Sequence, residues 1–515
     1  MLAIINSVAL QGLEPSIISI EVDVNSGTLP AFDIVGLPDV AVKEARNRVR
    51  SAIKNSHFKF PNCKITVNLA PADLKKEGSG FDLPIALGIL AATDQVRPEI
   101  FQNAFFVGEL GLDGIIRQVP GVLPMTELFQ GGKERADFIF VVPLDNQEEA
   151  SLAQNTKIAA CQNLSQVIEV FESGCFPFVK PLQEDAWQKT FTIDSTYDFA
   201  HVAGQNFVRR GLEIAAAGNH NVLMMGSPGS GKTLMARCFP GILPDLTFAE
   251  AIEVTKIYSL CGLLKPHEHM INQRPFRSPH HTSSSISIVG GGRNALPGEI
   301  TLASGGVLFL DELPEFRRDV LEALRQPLED RVITIARVAA RITYPANLLL
   351  VASCNPCPCG YFGADIGKEC TCTTQQIRRY RSKMSGPLLD RIDIQLDVPR
   401  VPIEEVKQTD KVENSAAIKE RVNMARAKQR ERYQTEKITY NAQLNNQLLK
   451  KYCQLDEISE QLLEKYVESQ GLSMRAYTRI IKLARTIADL ADRKEIVLND
   501  IAEAIQYRNL DRYLE

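Results

Sequence analysis

The chain has 515 residues, of which 44% are apolar and 23% charged, and its formal net charge is -4 at pH 7. This length exceeds one hydrophobic core, so we expect about three domains. The charge excludes a uniformly basic nucleic-acid coat, but not a local basic surface in a ring or channel. No apolar run approaches a membrane span, and the N-terminus lacks a signal-type core. We therefore expect a cytoplasmic protein with no membrane partner, whose eleven cysteines favour thiols or metal ligands over disulfides.

The first 172 residues alternate predicted strands and helices. Alternating apolar residues indicate strands, and a period of about 3.6 residues indicates helices. The predicted strands are Ile17–Val24, Lys64–Leu69 and Ala104–Leu110, and the predicted helices are Val40–Asn55 and Ile85–Thr93. Residues 173–196 have proline and glycine in the first half and polar residues after them, and are the best candidate linker.

A second α/β block, residues 197–400, contains a complete phosphate-binding loop between an apolar strand, Val222–Met225, and a helix-compatible segment, Leu234–Phe239. The loop consists of Gly226, Ser227, Pro228, Gly229, Ser230, Gly231, Lys232 and Thr233. Its glycines allow backbone N–H groups to turn onto a polyphosphate. Lys232 can reach the β and γ phosphates and Thr233 can hold Mg²⁺. The loop predicts a nucleoside triphosphate site.

A short apolar strand downstream, Val307–Leu310, ends in Asp311 and Glu312. A parallel strand buried on both faces has this composition, and ligands bind at the carboxyl ends of such strands. We expect Asp311 to steady the Mg²⁺ shell and Glu312 to act as the general base for the attacking water. The alternative is an acidic pair at a strand end with no catalytic role.

A third strand, Asn347–Cys354, ends at Asn355, where an amide could sense the γ phosphate and align water. Arg391 follows a helix-like segment and precedes a strand, a position from which a guanidinium could reach the nucleotide of a neighbouring subunit. The alternative for Arg391 is a structural pair with Asp390 or Asp393.

Residues 401–515 are predicted to form a helical C-terminal domain, because the strand patterns stop there. The segments with helical spacing are Glu404–Thr435, Glu457–Gln470, Arg475–Arg493 and Leu498–Tyr507. Within this domain, Ser473 can cap a helix that begins beside Arg475. Arg475 could bring the helical block down on the nucleotide as a lid.

The order of phosphate loop, acidic strand, sensor asparagine, arginine finger and lid arginine resembles the AAA+ ATPases. Four segments are similar to the magnesium-chelatase-related family, and within it to the ComM/YifB branch. These segments are Phe276–Thr282, Gly298–Ala303, Leu310–Phe316 and Asn355–Gly360. The resemblance covers nearly the whole chain and implies an α/β fold, with an AAA+ P-loop core built on a parallel sheet and an all-helical C-terminal lid.

The same resemblance implies a function. A member of this family is expected to form a homo-hexamer that uses ATP and Mg²⁺ to move single-stranded and branched DNA. Its expected role is branch migration during natural transformation, with recombination proteins among its partners. The residues alone predict an oligomeric P-loop ATPase.

Two segments are candidate DNA contacts. Residues 283–297 are rich in serine and glycine, with Arg293 near their end, and are similar to the family's helix-2 insertion, which would face the pore of a ring. Residues 331–344 alternate as a β-hairpin that could project Arg337 and Arg341. Repeated around a ring, such arginines would contact successive phosphates. The alternative is a solvated hairpin with ordinary surface arginines.

Two Cys-x-Cys pairs lie ten residues apart, formed by Cys357, Cys359, Cys370 and Cys372. Four clustered thiolates suit tetrahedral Zn²⁺ in a structural role. Reduced free thiols are the alternative.

Residues 1–172 resemble the Lon-protease-type domain, of ribosomal S5-type α+β fold, through the segments Leu74–Pro84 and Val107–Gly114. A Ser–Lys dyad would require a nucleophile near Gly80 or Phe81 and a lysine at Leu123, and neither is present. We therefore expect a non-proteolytic module for assembly or DNA contact. A Lon-like protease is one alternative function for the chain, and a chelatase-type motor that drives metal insertion is another.

Overall fold

The computed structural model describes residues 2–25, 29–130, 137–187, 196–265, 270–292, 295–336, 341–363, 368–402 and 412–508. Along these ranges a mixed α/β region is followed by a parallel-sheet core and then by a helical region. None of the described helices is long and apolar enough to cross a membrane.

The N-terminal region is built on a seven-stranded sheet in the order β3-β4-β2-β1-β5-β8-β9. Its strands are β1 (Leu2–Gln11), β2 (Glu14–Asn25), β3 (Ala31–Val35), β4 (Lys64–Ala70), β5 (Ala104–Phe106), β8 (Ile139–Pro143) and β9 (Lys157–Cys161), with a separate ribbon of β6 (Glu109–Leu110) and β7 (Ile116–Arg117). Its helices are α1 (Val40–Asn55), α2 (Asp82–Ala92), α3 (Val122–Thr126), α4 (Gln147–Ala150) and α5 (Leu164–Ser173). Every residue of α2 is buried, because this almost wholly apolar helix packs against β1 and β2.

The segment predicted as a linker packs against the core where the structure describes it. It contains α6 (Glu184–Trp187), and the Trp187 side chain is 5% exposed. The indole contacts Phe248 edge-to-face at 5.7 Å between ring centroids, and its Nε1–H donates to Asn272 Oδ1 at 2.8 Å. A buried tryptophan with its N–H satisfied anchors the segment to the next region.

The central region is built on a five-stranded parallel sheet in the order β11-β14-β17-β10-β18. These strands are β10 (Val222–Met225), β11 (Phe276–Arg277), β14 (Val307–Leu310), β17 (Leu349–Cys354) and β18 (Ile394–Asp397), and two hairpins pair β12 (Gly290–Gly291) with β13 (Leu296–Pro297) and β15 (Val332–Ala336) with β16 (Arg341–Pro345). The helices are α7 (Asn206–Gly218), α8 (Lys232–Cys238), α9 (Phe248–Leu260), α10 (Ser285–Val289), α11 (Glu299–Leu302), α12 (Arg318–Ala323), α13 (Arg325–Asp330), α14 (Thr374–Arg381) and α15 (Gly386–Leu389).

The strands β10, β14 and β17 are buried along their whole length. Their apolar residues are covered on both faces, as parallel sheets require. Because parallel strands end at the same edge of a sheet, the residues after Met225, Leu310 and Cys354 lie together. This edge is the topological location of ligand sites in open α/β sheets.

The C-terminal region is all-helical in the part of the chain that is described. Its helices are α16 (Ser415–Arg432), α17 (Asn446–Tyr452), α18 (Glu457–Gln470), α19 (Met474–Leu490) and α20 (Leu498–Gln506). The helices α16 and α19 pack on α7 of the core. Within this region Asp489 is fully buried and accepts from Arg432 and Arg485, so the buried carboxylate is neutralised by cations.

The N-terminal region also contacts the hairpin of β15 and β16. A Cβ on Gly12, in the turn between β1 and β2, would lie only 2.4 Å from Ile342 Cγ2. Gly12 has φ of 63°, which is left-handed, so glycine serves both the turn and the close approach. The turn therefore fits directly against the hairpin.

Candidate nucleotide site

The phosphate loop joins β10 to α8 at the shared strand edge. Gly229 and Gly231 have φ of 78° and 92°, a left-handed conformation that suits glycine. A Cβ on Gly231 would contact nothing within 4 Å, whereas one on Gly226 would lie 2.3 Å from Val398 O. Gly226 therefore lets the loop pack on its own sheet, and Gly231 leaves open space beside the backbone.

Lys232 is buried, with 9% of its surface exposed. Its Nζ donates to Gly226 O at 2.7 Å, to Ser227 O at 3.0 Å and to Asn355 Oδ1 at 3.3 Å. Burial lowers the pKa of Lys232, against the opposing attraction of nearby acidic groups that include Asp311. A buried ammonium whose acceptors are all neutral keeps its attraction for an anion.

Asp311 lies opposite the loop at the end of β14. Its Oδ2 accepts from Thr233 Oγ1 at 3.0 Å, and its other oxygen accepts from the hydroxyl of Ser353. A hydroxyl and a carboxylate in contact are hard oxygen ligands of the kind that Mg²⁺ prefers. The structure therefore brings together the two residues that the sequence predicts to hold Mg²⁺.

Glu312 has φ of 54°, which is uncommon for a residue other than glycine. Its backbone N–H donates to Ser353 Oγ at 3.3 Å, and its side chain is 54% exposed. Its Oε2 lies 3.7 Å from His281 Nδ1. The carboxylate thus extends away from the sheet, with an imidazole beside it.

Sequence reasoning missed two residues of this site, Ser353 and His281. Ser353 is a polar residue one position before the end of an apolar strand, and the register that pairs Leu310 with Ala352 brings it to Asp311. That register could be derived only by assuming that β14 and β17 are neighbours. His281 follows β11, and no spacing in the sequence connects it with Glu312.

Arg391 and Arg475 meet at one carboxylate, that of Glu329 in α13. Arg391 contacts Glu329 Oε2 and donates to Pro387 O at 2.7 Å, and Arg475 Nη2 lies 3.8 Å from Glu329 Oε1. The Nε of Arg391 is buried and has no partner among the described residues. The structure brings these two arginines together and does not bond either of them to the phosphate loop. The alternative pairing of Arg391 with Asp390 or Asp393 is not formed, since Asp393 instead binds Arg479.

Of the candidate DNA contacts, Arg341 is described, whereas Arg293 and Arg337 lie outside the described residues. Arg341 is exposed at the first position of β16, opposite Ala336. The two strands of the predicted hairpin are therefore present, and Arg341 begins the second strand directly after residues 337–340, which lie outside the described part of the chain. The predicted insertion contains the α10 helix and the paired strands β12 and β13. It packs on the β15–β16 hairpin through Tyr344 of β16, whose hydroxyl donates to Ala295 O at 2.9 Å.

The four cysteines predicted to bind zinc converge after β17. All four sulfurs lie within 4.8 Å of one another, and three pairs are 3.3, 3.6 and 3.7 Å apart. None is in a disulfide, and the distances far exceed the S–S bond length of about 2.05 Å.

The N-terminal region does not present a Ser–Lys dyad at the predicted positions. Leu123 is 1% exposed and belongs to an apolar cluster with Trp187. Ser79 precedes Gly80, one of the two predicted nucleophile positions, and its hydroxyl donates to Glu109. At the position where the resemblance to the Lon-type domain would place the lysine of the dyad, this chain has a buried leucine, so no lysine is available there to activate a nucleophile.

The residues at the sheet edge fit Mg²⁺ and a nucleoside triphosphate. In the part of the chain that the structure describes, the Ser230 hydroxyl is buried without a partner, and the Lys232 ammonium donates to three neutral oxygens. Thr233 and Asp311 would hold the metal, Lys232 and the loop N–H groups would hold the phosphates, and Mg²⁺ would supply charge neutralisation. Glu312 and Asn355 would orient water at the same edge.

The fold and this constellation define a P-loop ATPase of the AAA+ type. Three family profiles match the chain: "Magnesium chelatase, subunit ChlI" over residues 198–406, "Subunit ChlI of Mg-chelatase" over residues 20–146, and "Magnesium chelatase, subunit ChlI C-terminal" over residues 412–508. Competence protein ComM of Haemophilus influenzae is 44% identical over 100% of this chain and 99% of its own length. The YifB proteins of Salmonella typhimurium and Escherichia coli are 43% and 42% identical over 100% of this chain and 98% of theirs. The chain therefore belongs to the magnesium-chelatase-related family that contains ComM and YifB, and this membership implies ATP and Mg²⁺.

Proposed function

We propose that this protein is a homo-hexameric, ATP-driven DNA motor that acts as a helicase and promotes branch migration during natural transformation. The observation that carries the proposal is the connection between the nucleotide site and the β15–β16 hairpin. The β15–β16 hairpin ends at Pro345, and β17 begins at Leu349 and leads to Asn355. A change at the nucleotide can therefore reach the hairpin through one short buried strand. The name of the full-length relative, a competence protein, supports DNA as the substrate.

The exposed Arg341 supplies the proposed DNA contact. Six copies around a ring would present a ladder of guanidinium groups to successive phosphates, so the net charge of -4 is no obstacle. Arg293 and Arg337 are proposed to belong to the same surface on the basis of sequence. Recombination proteins that bind the same DNA are the proposed partners.

The shared carboxylate of Glu329 supports the proposed ring. Because Arg391 and Arg475 contact the same anionic group in one chain, they are positioned to contact one anionic group together. In the ring this group is the γ phosphate bound to the neighbouring subunit, where two guanidinium groups would stabilise the charge that develops during transfer. Assembly would exchange Glu329 for the phosphate.

Zn²⁺ is the proposed second cofactor. Four sulfurs around one Zn²⁺ at about 2.3 Å lie roughly 3.8 Å apart. Three sulfur pairs of the cluster are 3.3, 3.6 and 3.7 Å apart, and all four sulfurs lie within 4.8 Å of one another. Clusters with several irons would spread the thiolates further apart, so a single ion suits the site better.

The chelatase-type motor remains the second candidate function, because all three matching family profiles are named for a subunit of magnesium chelatase. One of them covers residues 20–146, so the N-terminal region does not by itself separate the two functions. The full-length identity with a competence protein favours DNA. The Lon-like protease is disfavoured because Gly80, Phe81 and Leu123 supply neither nucleophile nor base.

The most informative assay is ATP hydrolysis by the full chain, measured alone and with single-stranded or branched DNA, with a porphyrin and casein as the comparison substrates. We expect DNA to stimulate hydrolysis, and Arg341→Glu to remove the stimulation while basal hydrolysis and ring assembly persist. Lys465→Glu, which reverses an exposed charge on α18, is the matched control and should respond as the wild type does. Turnover that depends on a porphyrin and ignores DNA would overturn the proposal in favour of the chelatase, and casein degradation would favour the protease.

A further inference from the structure

The four cysteines, hereafter the cysteine cluster (Cys357, Cys359, Cys370 and Cys372), lie immediately beside the nucleotide site. Cys357 is two positions after Asn355, whose side chain accepts from Lys232. It is fully buried, whereas the other three sulfurs belong to half-buried residues. A backbone N–H from Phe362 points at Cys357 Sγ at 3.4 Å. Amide donors to sulfur favour thiolates, the form that binds metal.

The described residues around the first cysteine pair, 356–363, are called the cysteine segment, and they rest on the phosphate loop. Gly360 is buried with φ of 85°, and a Cβ there would lie 2.6 Å from Pro228 Cδ. Arg400 spans the same contact, since it donates to Pro228 O at 2.7 Å and its guanidinium lies 5.6 Å from the ring centroid of Tyr361. Two independent contacts therefore join the cysteine segment to the phosphate loop.

A second arginine holds the other side of the segment. Arg381 of α14 donates to Pro356 O at 3.2 Å, and its guanidinium lies 5.2 Å from the ring centroid of Phe362. The segment is thus clamped between α14 and the phosphate loop. Four thiolates on one ion would add a cross-link between the two cysteine pairs.

We infer that the cysteine cluster is a metal-dependent brace of the nucleotide site: one Zn²⁺ bound by it holds Gly360 against Pro228 and fixes Asn355, so that ATP hydrolysis depends on a metal that takes no part in the chemistry. The inference rests on the Zn²⁺ proposed above and adds the effect of that ion on the site. Binding fixes the segment, because each thiolate–zinc bond removes conformations that would carry Asn355 away from Lys232. Since a misplacement of about 1 Å at a reacting group costs on the order of 100-fold in rate, a loosened Asn355 is enough to slow hydrolysis.

The first experiment measures the metal itself. The full chain is purified under reducing conditions without chelator, and zinc is counted by mass spectrometry of the metal. We expect about one zinc per chain, and its loss in Cys359→Ser and in Cys372→Ser. Cys175→Ser, which changes an exposed cysteine outside the cluster, should retain the metal. A chain with reduced thiols and no zinc would overturn the site.

The second experiment separates the brace from the metal site. Gly360→Ala leaves all four thiols in place but pushes a methyl group against Pro228. Gly363→Ala is the matched control, because Gly363 also has a left-handed φ, of 72°, but a Cβ there meets nothing within 4 Å. Both variants should keep zinc. Only Gly360→Ala should lower basal ATP hydrolysis, by roughly 10- to 100-fold, together with the affinity for a fluorescent ATP analogue.

The outcomes distinguish the inference from the functions proposed above. Equal hydrolysis by the two glycine variants would overturn the brace even if zinc were present. So would normal hydrolysis by a folded Cys359→Ser chain that has lost its zinc. Hydrolysis is measured without DNA in every case, so a failure of the DNA-motor proposal leaves this test unaffected.

Discussion

Two buried charged residues of this protein, Asp82 of the N-terminal region and Lys232 of the core, differ in the charge of their hydrogen-bond partners. Asp82 is 1% exposed and pairs with Arg48 through two bonds of 2.6 and 3.0 Å. Lys232 is nearly as buried, yet none of its three acceptors in the described part of the chain is a carboxylate. A charge neutralised within the chain supports the fold, whereas one held by neutral dipoles remains available to an incoming anion.

The difference explains why one region is expected to bind a polyphosphate and the other is not. Burial raises the pKa of Asp82 to about 6, although Arg48 opposes the shift. Near neutral pH the pair is therefore mostly ionised and internally compensated. The acidic groups that act on Lys232, Asp311 and Glu312, instead contact Thr233 and His281 respectively. The nucleotide site is left with an uncompensated cation.

The strongest test of the comparison is Lys232→Ala. Because this change removes the cation that attracts phosphate, ATP hydrolysis should fall by about 100-fold or more. The free energy of unfolding should stay the same or rise, since an uncompensated buried charge is removed along with its desolvation cost. Hydrolysis by coupled assay and unfolding in urea measure the two effects. A variant that lost both activity and several kcal/mol of stability would show that Lys232 supports the fold after all.

The next prediction concerns Arg48→Ala, which should lower the free energy of unfolding and leave nucleotide binding unchanged. It leaves Asp82 buried without a counter-ion, which typically costs about 3–5 kcal/mol. Unfolding in urea should show this loss in the N-terminal region, while the nucleotide affinity of the folded protein is retained. The double variant Arg48→Met, Asp82→Leu should recover much of the loss, because it removes both charges. Lost nucleotide affinity in a folded Arg48→Ala chain would contradict the separation of the two roles.

How much of this could be predicted depends on whether the partners are close in the sequence. The phosphate loop, Asp311 and Glu312 follow from short local patterns, and the structure brings Thr233 to Asp311 as expected. The role of Ser353 required the order of strands in the sheet, and that of Glu329 required the approach of α13 to two distant arginines. The burial of Trp187 in the predicted linker likewise depends on Phe248, which lies far away in the chain.

A third prediction extends the comparison to the contact between core and C-terminal region, where Asp393 pairs with Arg479. Burial disfavours ionisation of Asp393, but the Arg479 guanidinium outweighs it and holds the pKa well below the usual range. A depressed folded-state pKa gives stability that is present above an unfolded value of about 3.9 and is lost as the pH falls below it. Asp393→Asn should therefore destabilise the protein by about 3 kcal/mol at pH 7.

The pH dependence identifies the cause of that loss. The difference in unfolding free energy between wild type and Asp393→Asn should shrink as the pH is lowered from 5 to about 3, because the wild-type carboxyl is then protonated in the unfolded chain. Chemical unfolding at a series of pH values measures it. A difference that stayed constant with pH would mean that Asp393 acts by packing or by its bond from Asn221 N–H and not by its charge.

The smallest effect is expected for Ser353→Ala, which tests whether the hydrogen bond from Ser353 orients the Asp311 carboxylate for its role at the nucleotide site. Asp311 is held by Ser353 as well as by Thr233, so Ser353→Ala should let the carboxylate turn without removing it. A hydrogen bond to a charged group is worth about 1.5–3 kcal/mol. Because Asp311 keeps its bond from Thr233, we expect the lower end of this range, roughly a 10-fold fall in kcat, with nucleotide affinity nearly unchanged. Ser382→Ala is the control, since Ser382 is exposed and its hydroxyl donates to Arg379 O within its own helical turn. If higher Mg²⁺ restored the rate of Ser353→Ala, the serine would act by positioning the metal ligand. An unchanged rate would instead mean that Thr233 alone orients Asp311. The absence of a carboxylate partner for Lys232 among the described residues would then matter more for the electrostatics of the site than the hydrogen bonds of Asp311.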